Sequence, residues 1–171
     1  VELMEVIKLR RSIRSFSDEE VTDKELREVL EAAIWAPSAG NLQPWIFIVV
    51  RDRELKEGLY LAAYGQKWVL NAPVVLIACA DLSITGSVYG ERGRNLYAIQ
   101  DVAMACQNLM LRAADMGLGT CFIGAFDEGS VKKLLKLRED VRPLGIIPIG
   151  RPAERPSPPP RKPLDAVTVW R

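Results

Sequence analysis

The sequence predicts one globular domain of mixed helices and strands built around a sheet. Three observations predict it: an unbroken apolar run, Val74 to Ala80; amphipathic helical patterns at residues 22–34 and 96–116; and short β-branched runs between such patterns. The chain has 171 residues, enough for one domain of ordinary size that buries roughly 70% of its unfolded surface. Hydrophobic residues make up 49% and charged residues 26%, which sets disordered and fibrous classes aside.

The elements follow in order. Leu3, Met4, Val6 and Ile7 have helical spacing, and the basic cluster from Leu9 to Arg11 suits the carboxyl end of a helix. Thr22 with Glu25 forms a capping box for a second helix, whose stripe is Leu26, Val29, Leu30, Ala33 and Ile34; Pro37 stops it. Turn formers fill Pro37 to Pro44, and Trp45 to Val50 reads as a strand. Residues 53–70 are weakly helical. Pro73 then opens Val74 to Ala80, a strand expected to be covered on both faces. From Leu82 to Arg94 the pattern is broken by Gly86, Gly90 and Gly93. Leu96 to Met116 is a helix apolar on most sides, ending at Gly117 and suited to a buried or subunit-interface position. Leu118 to Ile123 and Leu144 to Ile149 read as strands, with a helix from about Asp127 to Leu137 between them. Six of the eleven prolines fall between Pro152 and Pro163, a semi-rigid arm. It ends in the alternating Val167-Thr168-Val169-Trp170, a segment suited to a sheet edge, such as that of a second subunit.

Composition narrows the chemistry. The chain has no histidine, which removes Ser-His-Asp and Cys-His pairs, HExxH zinc sites and histidine-ligated iron. Lys plus Arg (23) nearly balance Asp plus Glu (22), so there is no bulk field for DNA or an anionic membrane, and any anion site is local. Cys79, Cys106 and Cys121 lie in apolar runs without CxxC spacing, and read as reduced core residues, not metal ligands. The longest apolar run is too short for a membrane span, and no signal-peptide pattern opens the sequence. The expectation is a cytoplasmic protein with no metal, membrane or nucleic-acid partner.

Three segments could carry chemistry. In Arg10-Arg11-Ser12-Ile13-Arg14, extended backbone would put Arg10, Ser12 and Arg14 on one side, where guanidinium forks and a hydroxyl suit a phosphate. A solvated basic helix end is an equal alternative. In the loop from Pro37 to Pro44, Ser38, Asn41 and Gln43 offer small polar groups, and Gly40 allows close approach to a planar heterocycle. An ordinary helix-to-strand connection has the same composition. In Gly117-Leu118-Gly119-Thr120-Cys121-Phe122-Ile123-Gly124, Phe122 stands where a dinucleotide fingerprint needs its third glycine. No GxxxxGK[ST] loop or GxSxG elbow is present.

Together, Arg10 to Phe16, Ala36 to Trp45 and Gly117 to Gly124, with Ile147 to Gly150 and Arg161 to Leu164, resemble the nitroreductase family of flavin mononucleotide (FMN) oxidoreductases. The resemblance covers almost the whole chain, and its second segment is the most specific. It implies an α+β fold with a mixed central sheet flanked by helices, and a domain-exchanged homodimer with two FMN sites at the interface. Residues 1–150 would form the FMN-binding domain, and residues 151–171 an arm of the same domain that docks on the partner. The resemblance puts Arg10, Arg11, Ser12 and Arg14 on the phosphate, ribityl and pyrimidine end, and Arg161 on the phosphate. Pro37, Ser38, Ala39, Asn41 and Gln43 of the other subunit would lie along the isoalloxazine. Gln66 corresponds loosely to a flavin contact, and Ile123 and Gly124 would sit near flavin N5. No side chain is expected to act as acid or base, because the cofactor carries the redox chemistry.

The implied activity passes hydride from NADH or NADPH through flavin N5 to an electron-poor acceptor, a nitroaromatic, quinone or flavin-like molecule, in a ping-pong cycle. A dehalogenase or flavin-fragmenting enzyme of the same superfamily shares these residues, as does an FMN carrier or sensor without turnover. Tyr89, Arg92 and Tyr97 either border the acceptor pocket or serve as packing and surface residues.

Overall fold

The computed structural model describes residues 2–171. Their core is a four-stranded sheet of order β1-β2-β4-β3, formed by β1 (Trp45–Val50), β2 (Val74–Asp81), β3 (Gly119–Thr120) and β4 (Val141–Gly150). All three ladders are antiparallel; the parallel component of the mixed sheet is one bridge, Ser12 to Thr120. The helices are α1 (Leu3–Leu9), α2 (Asp23–Ile34), α3 (Arg53–Ala62), α4 (Trp68–Asn71), α5 (Leu82–Arg92), α6 (Ala98–Asp115) and α7 (Glu128–Leu135).

β2 is central because every residue of it is buried. Its side chains alternate between two cores, as strand geometry requires. Val74, Leu76, Ala78 and Ala80 join the core under α2 and α6, with Leu26, Val29, Val102 and Leu109. Val75, Ile77 and Cys79 join the core under α3 and α7, with Leu59, Val131 and Ile146. Each fully buried aliphatic side chain contributes about 1.5–3 kcal/mol relative to exposure.

Local chemistry sets the helix ends. The Thr22 hydroxyl accepts from Glu25 N at 3.2 Å, and the Glu25 carboxylate accepts from Thr22 N at 2.9 Å, so both halves of the expected capping box are present. Asp52, Asp81 and Asp127 cap α3, α5 and α7 through a single backbone amide each, accepting from Leu55 N, Ser83 N and Ser130 N. Gly117, at φ +76°, follows the end of α6 as expected.

The structure departs from expectation in four places. Residues 82–92 form a helix although glycines interrupt the pattern, because Gly86 and Gly93 are packing positions. A side chain at Gly86 would strike Arg94, and one at Gly93 would strike the Thr85 carbonyl. The helix kinks at Gly90 (φ 61°, ψ −147°) and passes through a π turn, Gly93–Tyr97, into α6. The strand expected over residues 118–123 is paired only at Gly119–Thr120, with a separate bridge from Ile123 to Ile146. The weak helix of residues 53–70 is two helices separated by left-handed Tyr64 and Gly65. In the arm, Leu164–Ala166 is a 3-10 turn, and Val169 and Trp170 pair with no strand of this chain.

The root of the arm is tied to its own chain. Ser17 N donates to Arg151 O and Ala153 N to Ser15 O, and the Glu154 carboxylate accepts from Arg14 N at 2.6 Å and Ser15 N at 3.1 Å. Cys79, Cys106 and Cys121 are buried and unpaired. Among the described residues no helix is long and apolar enough to cross a membrane.

Replacing Thr22 with Ala removes one side of the capping box without touching the core. The expected cost is about 1 kcal/mol of unfolding free energy, read from the urea midpoint at unchanged m-value.

Candidate functional site

The candidate residues fall into two groups, each held by a different end of β2. The first gathers where β2 begins. Arg10 follows the last residue of α1, and the chain then crosses to β3, where Ser12 bridges Thr120 and Ile13 N donates to Thr120 O at 2.9 Å. Gly119 has no side chain because Ile13 lies against it: an added Cβ would sit 2.8 Å from Ile13. Arg10 and Arg14 both lie close enough to Cys121 to favour its thiolate, yet burial dominates and pushes the thiol up. Arg14 stacks over the indole of Trp68 at 5.5 Å. Gln66, two residues before Trp68, donates from Nε2 to Ala63 O at 3.0 Å and to Ala125 O at 3.1 Å. That ties it to the segment holding buried Ile123 and exposed Gly124.

The alternation expected of residues 10–14 is kept in part. Arg10 and Arg14 reach the same neighbourhood, while Arg11 turns back and donates from Nη1 to Lys8 O at 2.5 Å and Arg10 O at 2.8 Å, capping α1. Its Nε is buried without a partner. A cavity of about 600 Å³ adjoins this corner, lined by Arg10, Arg11, Leu118, Gly119, Arg151 and Glu154 among others.

This corner is rich in arginine, and its one carboxylate among the described residues, Glu154, is engaged by the backbone amides of Arg14 and Ser15. Burial pushes the Arg10 guanidinium below its ordinary value, and Arg161 and Arg11 push it in the same direction. Arg161, from the proline-rich arm, is therefore brought to Arg10 across 151 positions. Among the described residues, none of Arg10, Arg11, Arg14 and Arg161 forms an ion pair.

The second group is the loop from Pro37 to Gln43, at the other end of β2, where Asp81 N donates to Pro44 O at 2.8 Å. Three of its residues are left-handed: Gly40 (φ 58°), Asn41 (φ 55°) and Gln43 (φ 52°). For Asn41 and Gln43 this conformation costs roughly 1–2 kcal/mol each, strain of the kind that surrounding contacts must hold in place. Those contacts are present. Ser38 Oγ accepts from Gln43 N at 3.1 Å, and Gln43 Nε2 donates to Asn41 O at 3.1 Å and Asn41 Oδ1 at 3.3 Å. At Gly40 an added Cβ would fall 2.8 Å from the Tyr89 hydroxyl, and the left-handed φ also favours glycine. Tyr89 packs edge-on against Tyr97, and Arg92 lies over the Tyr97 ring.

Beneath the loop, Asp101 of α6 is 3% exposed and accepts from Ala39 N with both oxygens, at 3.2 Å each. Burial pushes its carboxyl above the ordinary carboxylate value, opposed by the Ala39 N–H.

Sequence reasoning missed Trp68, Asp101 and Glu154. Asp101 had a signal, being the one charged residue between Leu96 and Leu111 in a helix apolar on most sides. Trp68 and Glu154 had none, since their partners are distant in sequence. Among the described residues no group of three His, Cys, Asp or Glu could hold a metal ion.

The two groups do not meet within one chain. β1 and β3 are opposite edges of the sheet, about 14 Å apart by strand spacing. Along β2, the loop is level with Ala80 and the cationic corner with Val74, about 20 Å of strand rise.

The family model described as Nitroreductase family matches residues 7–68 and 60–151. This chain belongs to the nitroreductase family. A Methanothermobacter thermautotrophicus protein provisionally named NADH dehydrogenase/NAD(P)H nitroreductase is 38% identical over 162 residues, covering 91% of this chain and 80% of that one. The FMN reductase [NAD(P)H] of Bacillus subtilis is 35% identical over 174 residues, covering 92% of this chain and 68% of that one. Among solved structures, the NADPH:FMN oxidoreductase from Vibrio harveyi complexed with NAD+ superposes with a TM-score of 0.91 at 28% identity, covering 98% of this chain and 76% of that one. The nitroreductase-family fold thus accounts for nearly the whole chain, arm included.

The raised Asp101 carboxyl has a consequence for stability. A native state that holds this proton more tightly than the unfolded chain loses stability as pH rises from about 4, the ordinary carboxylate value, through the raised one. Asp101→Asn should remove that loss, leaving a smaller decline over this window than wild type in urea unfolding measured across it.

Proposed function

We propose that this chain is an FMN-dependent oxidoreductase that takes hydride equivalents from NADH or NADPH and passes them to an electron-poor acceptor, a nitroaromatic, quinone or flavin-like molecule, in a ping-pong cycle. The observation that carries the reading is the arginine-rich corner, where Arg10, Arg11, Arg14 and Arg161 form no ion pair among the described residues and the one neighbouring carboxylate, Glu154, is engaged by backbone amides. Arg10 is pushed below its ordinary value by burial and by the charges of Arg161 and Arg11, a repulsion that a bound phosphate would relieve. The buried, unpartnered Nε of Arg11 fits the same corner.

The residues present fit FMN. Arg10, Arg11, Ser12 and Arg161 would hold its phosphate and ribityl chain, and Arg14 and Gln66 its pyrimidine edge, with Arg14 braced by Trp68. The backbone of Ile123 and Gly124 would lie beside N5. Gly124 suits this because an added Cβ there would meet nothing closer than Phe122 at 3.9 Å. Bound FMN would supply the hydride chemistry at N5, which no side chain of this histidine-free chain offers. The protein's part is to bind, orient and tune. Arg14 places positive charge where negative charge accumulates on reduction.

The Pro37, Ser38, Ala39, Asn41 and Gln43 group would come from a second copy, which supports a homodimer with two sites at its interface. Two features favour this. A single chain holds the two groups at diagonal corners of its sheet. It also leaves Leu3, Met4 and Leu9 of α1, Ile34 and Trp35 at the end of α2, and Met104 of α6 exposed, apolar surface that a partner would cover. In the same reading, residues 1–150 form the FMN-binding domain, and Val167, Val169 and Trp170, exposed here, dock with the rest of the 151–171 arm on the partner. The three unpaired cysteines fit a reducing compartment, the cytoplasm.

The test is the visible spectrum of purified protein, followed anaerobically on adding NADH and then NADPH. Bound FMN that bleaches and recovers with a nitroaromatic or quinone supports the cycle. A colourless protein that takes up no FMN overturns it, and a yellow one that never bleaches points to a carrier. Arg14→Ala should weaken FMN binding about tenfold or more, the scale of a lost charge-assisted hydrogen bond, or lower the flavin potential. Unchanged values of both would remove Arg14 from the site.

A further inference from the structure

The structure has two buried carboxylates, and they are treated differently. Asp81, 4% exposed, accepts from Ser83 Oγ at 2.5 Å and Ser83 N at 3.1 Å, and pairs with Arg138 at 2.8 Å. Asp101, 3% exposed, has neither a hydroxyl nor a cation; the Ala39 N–H is its one donor among the described residues. A buried carboxylate with one donor is costly, and an apolar residue would satisfy the packing of α6 around it better. Packing alone therefore does not explain Asp101.

The donor it engages has a particular place. Ala39 is the first residue of the 3-10 turn Ala39–Asn41, directly before left-handed Gly40 and Asn41. The other bonds of the loop run within it: Ser38 to Gln43, Gln43 to Asn41, and Asn41 N to Ser38 O at 3.0 Å. These set the loop's shape but do not fix it to the body of the protein. The Asp101 bond does, across 62 positions, from a residue in the first turn of the longest helix.

We propose that Asp101 is a positioning residue, its buried carboxylate anchoring the loop of residues 37–43 to α6 in the one conformation that presents Ser38, Asn41 and Gln43 to the flavin. The anchor rests on the flavin reading above for its purpose, though not for its existence. Asp101 touches neither cofactor nor substrate in this scheme and acts through Ala39.

Two substitutions remove the bond from opposite sides. Asp101→Ala removes the acceptor. Ala39→Pro removes the donor and leaves Asp101 in place; proline is tolerated at the first position of a helical turn, and Ser38, at φ −145° and ψ 155°, already has the extended conformation required before proline. Asp101→Asn keeps an acceptor oxygen and is the rescue. The readouts are the FMN dissociation constant, by flavin fluorescence, and amide hydrogen exchange at Ala39 in the FMN-free protein, by NMR. The expected result is an FMN dissociation constant raised at least tenfold in Asp101→Ala and in Ala39→Pro but within threefold of wild type in Asp101→Asn. In parallel, Ala39 exchange should accelerate at least tenfold in Asp101→Ala and stay near wild type in Asp101→Asn. Unchanged Ala39 protection in Asp101→Ala overturns the anchor, as do wild-type FMN affinities in both Asp101→Ala and Ala39→Pro. If Asp101→Ala does not fold, Ala39→Pro with wild-type affinity is enough to overturn it. A wild-type protein that binds no FMN withdraws the flavin reading, and Ala39 exchange then decides the anchor by itself.

Discussion

Burial of β2 on both faces is the constraint on which the rest depends. A strand with no solvent-facing side needs helices on each face, and those helices must reach it by connections that leave the sheet at its ends. α2 and α6 cover one face, α3 and α7 the other. Apart from the arm, the segments with a functional reading lie between helices and strands of this scaffold. Residues 10–16 run from α1 to the β3 edge, the Pro37 to Gln43 loop joins α2 to β1, Gln66 and Trp68 precede β2, and Ile123 and Gly124 join β3 to α7. The scaffold uses its apolar residues for rigidity and leaves the polar ones at the ends of the strands, where a ligand can reach them.

What was legible in the sequence was what short-range physics determines. Thr22 and Glu25 are three residues apart and need nothing else to form a capping box. The apolar run of β2 could be nothing but a buried strand once Pro73 had limited its start. The segment 82–92 was illegible because its glycines look like helix breakers, whereas Gly86 and Gly93 are the places where Arg94 and the Thr85 carbonyl come too close for a side chain. Such a glycine supports a helix only through tertiary packing, which no local window contains. The same holds for Glu154, which accepts from Arg14 N at a separation of 140. The tail shows the opposite failure. The alternation of Val167 to Trp170 is plain, but no strand of this chain pairs with it, so its meaning depends on a surface outside the chain.

The two halves of the site also differ in how they are held. The cationic corner is under electrostatic strain: burial, Arg161 and Arg11 all push the Arg10 guanidinium below its ordinary value, and Arg11 Nε is buried without an acceptor. The loop is under conformational strain, with Asn41 and Gln43 left-handed and pinned by their own side chains and by Asp101. An anion would relieve the first kind of strain. The second kind is not relieved by charge; it is maintained by rigid contacts and offers a preformed surface, so that little conformational freedom is lost when a planar ligand binds. A phosphate at one end and a flat ring system at the other are the complement of these two surfaces. FMN has both.

The absence of histidine fits the same division of labour. A site that relied on side chains for proton transfer would need a group titrating near neutrality, and the cysteine thiols are held away from it. Burial pushes the Cys79 and Cys106 thiols up to about 12, and Cys121 is also raised despite two neighbouring guanidinium groups. In the proposed reading the chain supplies positive charge, hydrogen-bond donors and a rigid loop, while the cofactor carries the redox chemistry. Chemistry of that kind is set by where groups are held. In that reading the residues that hold the loop and the arm in place, Asp101 and Glu154, matter as much as the arginines do.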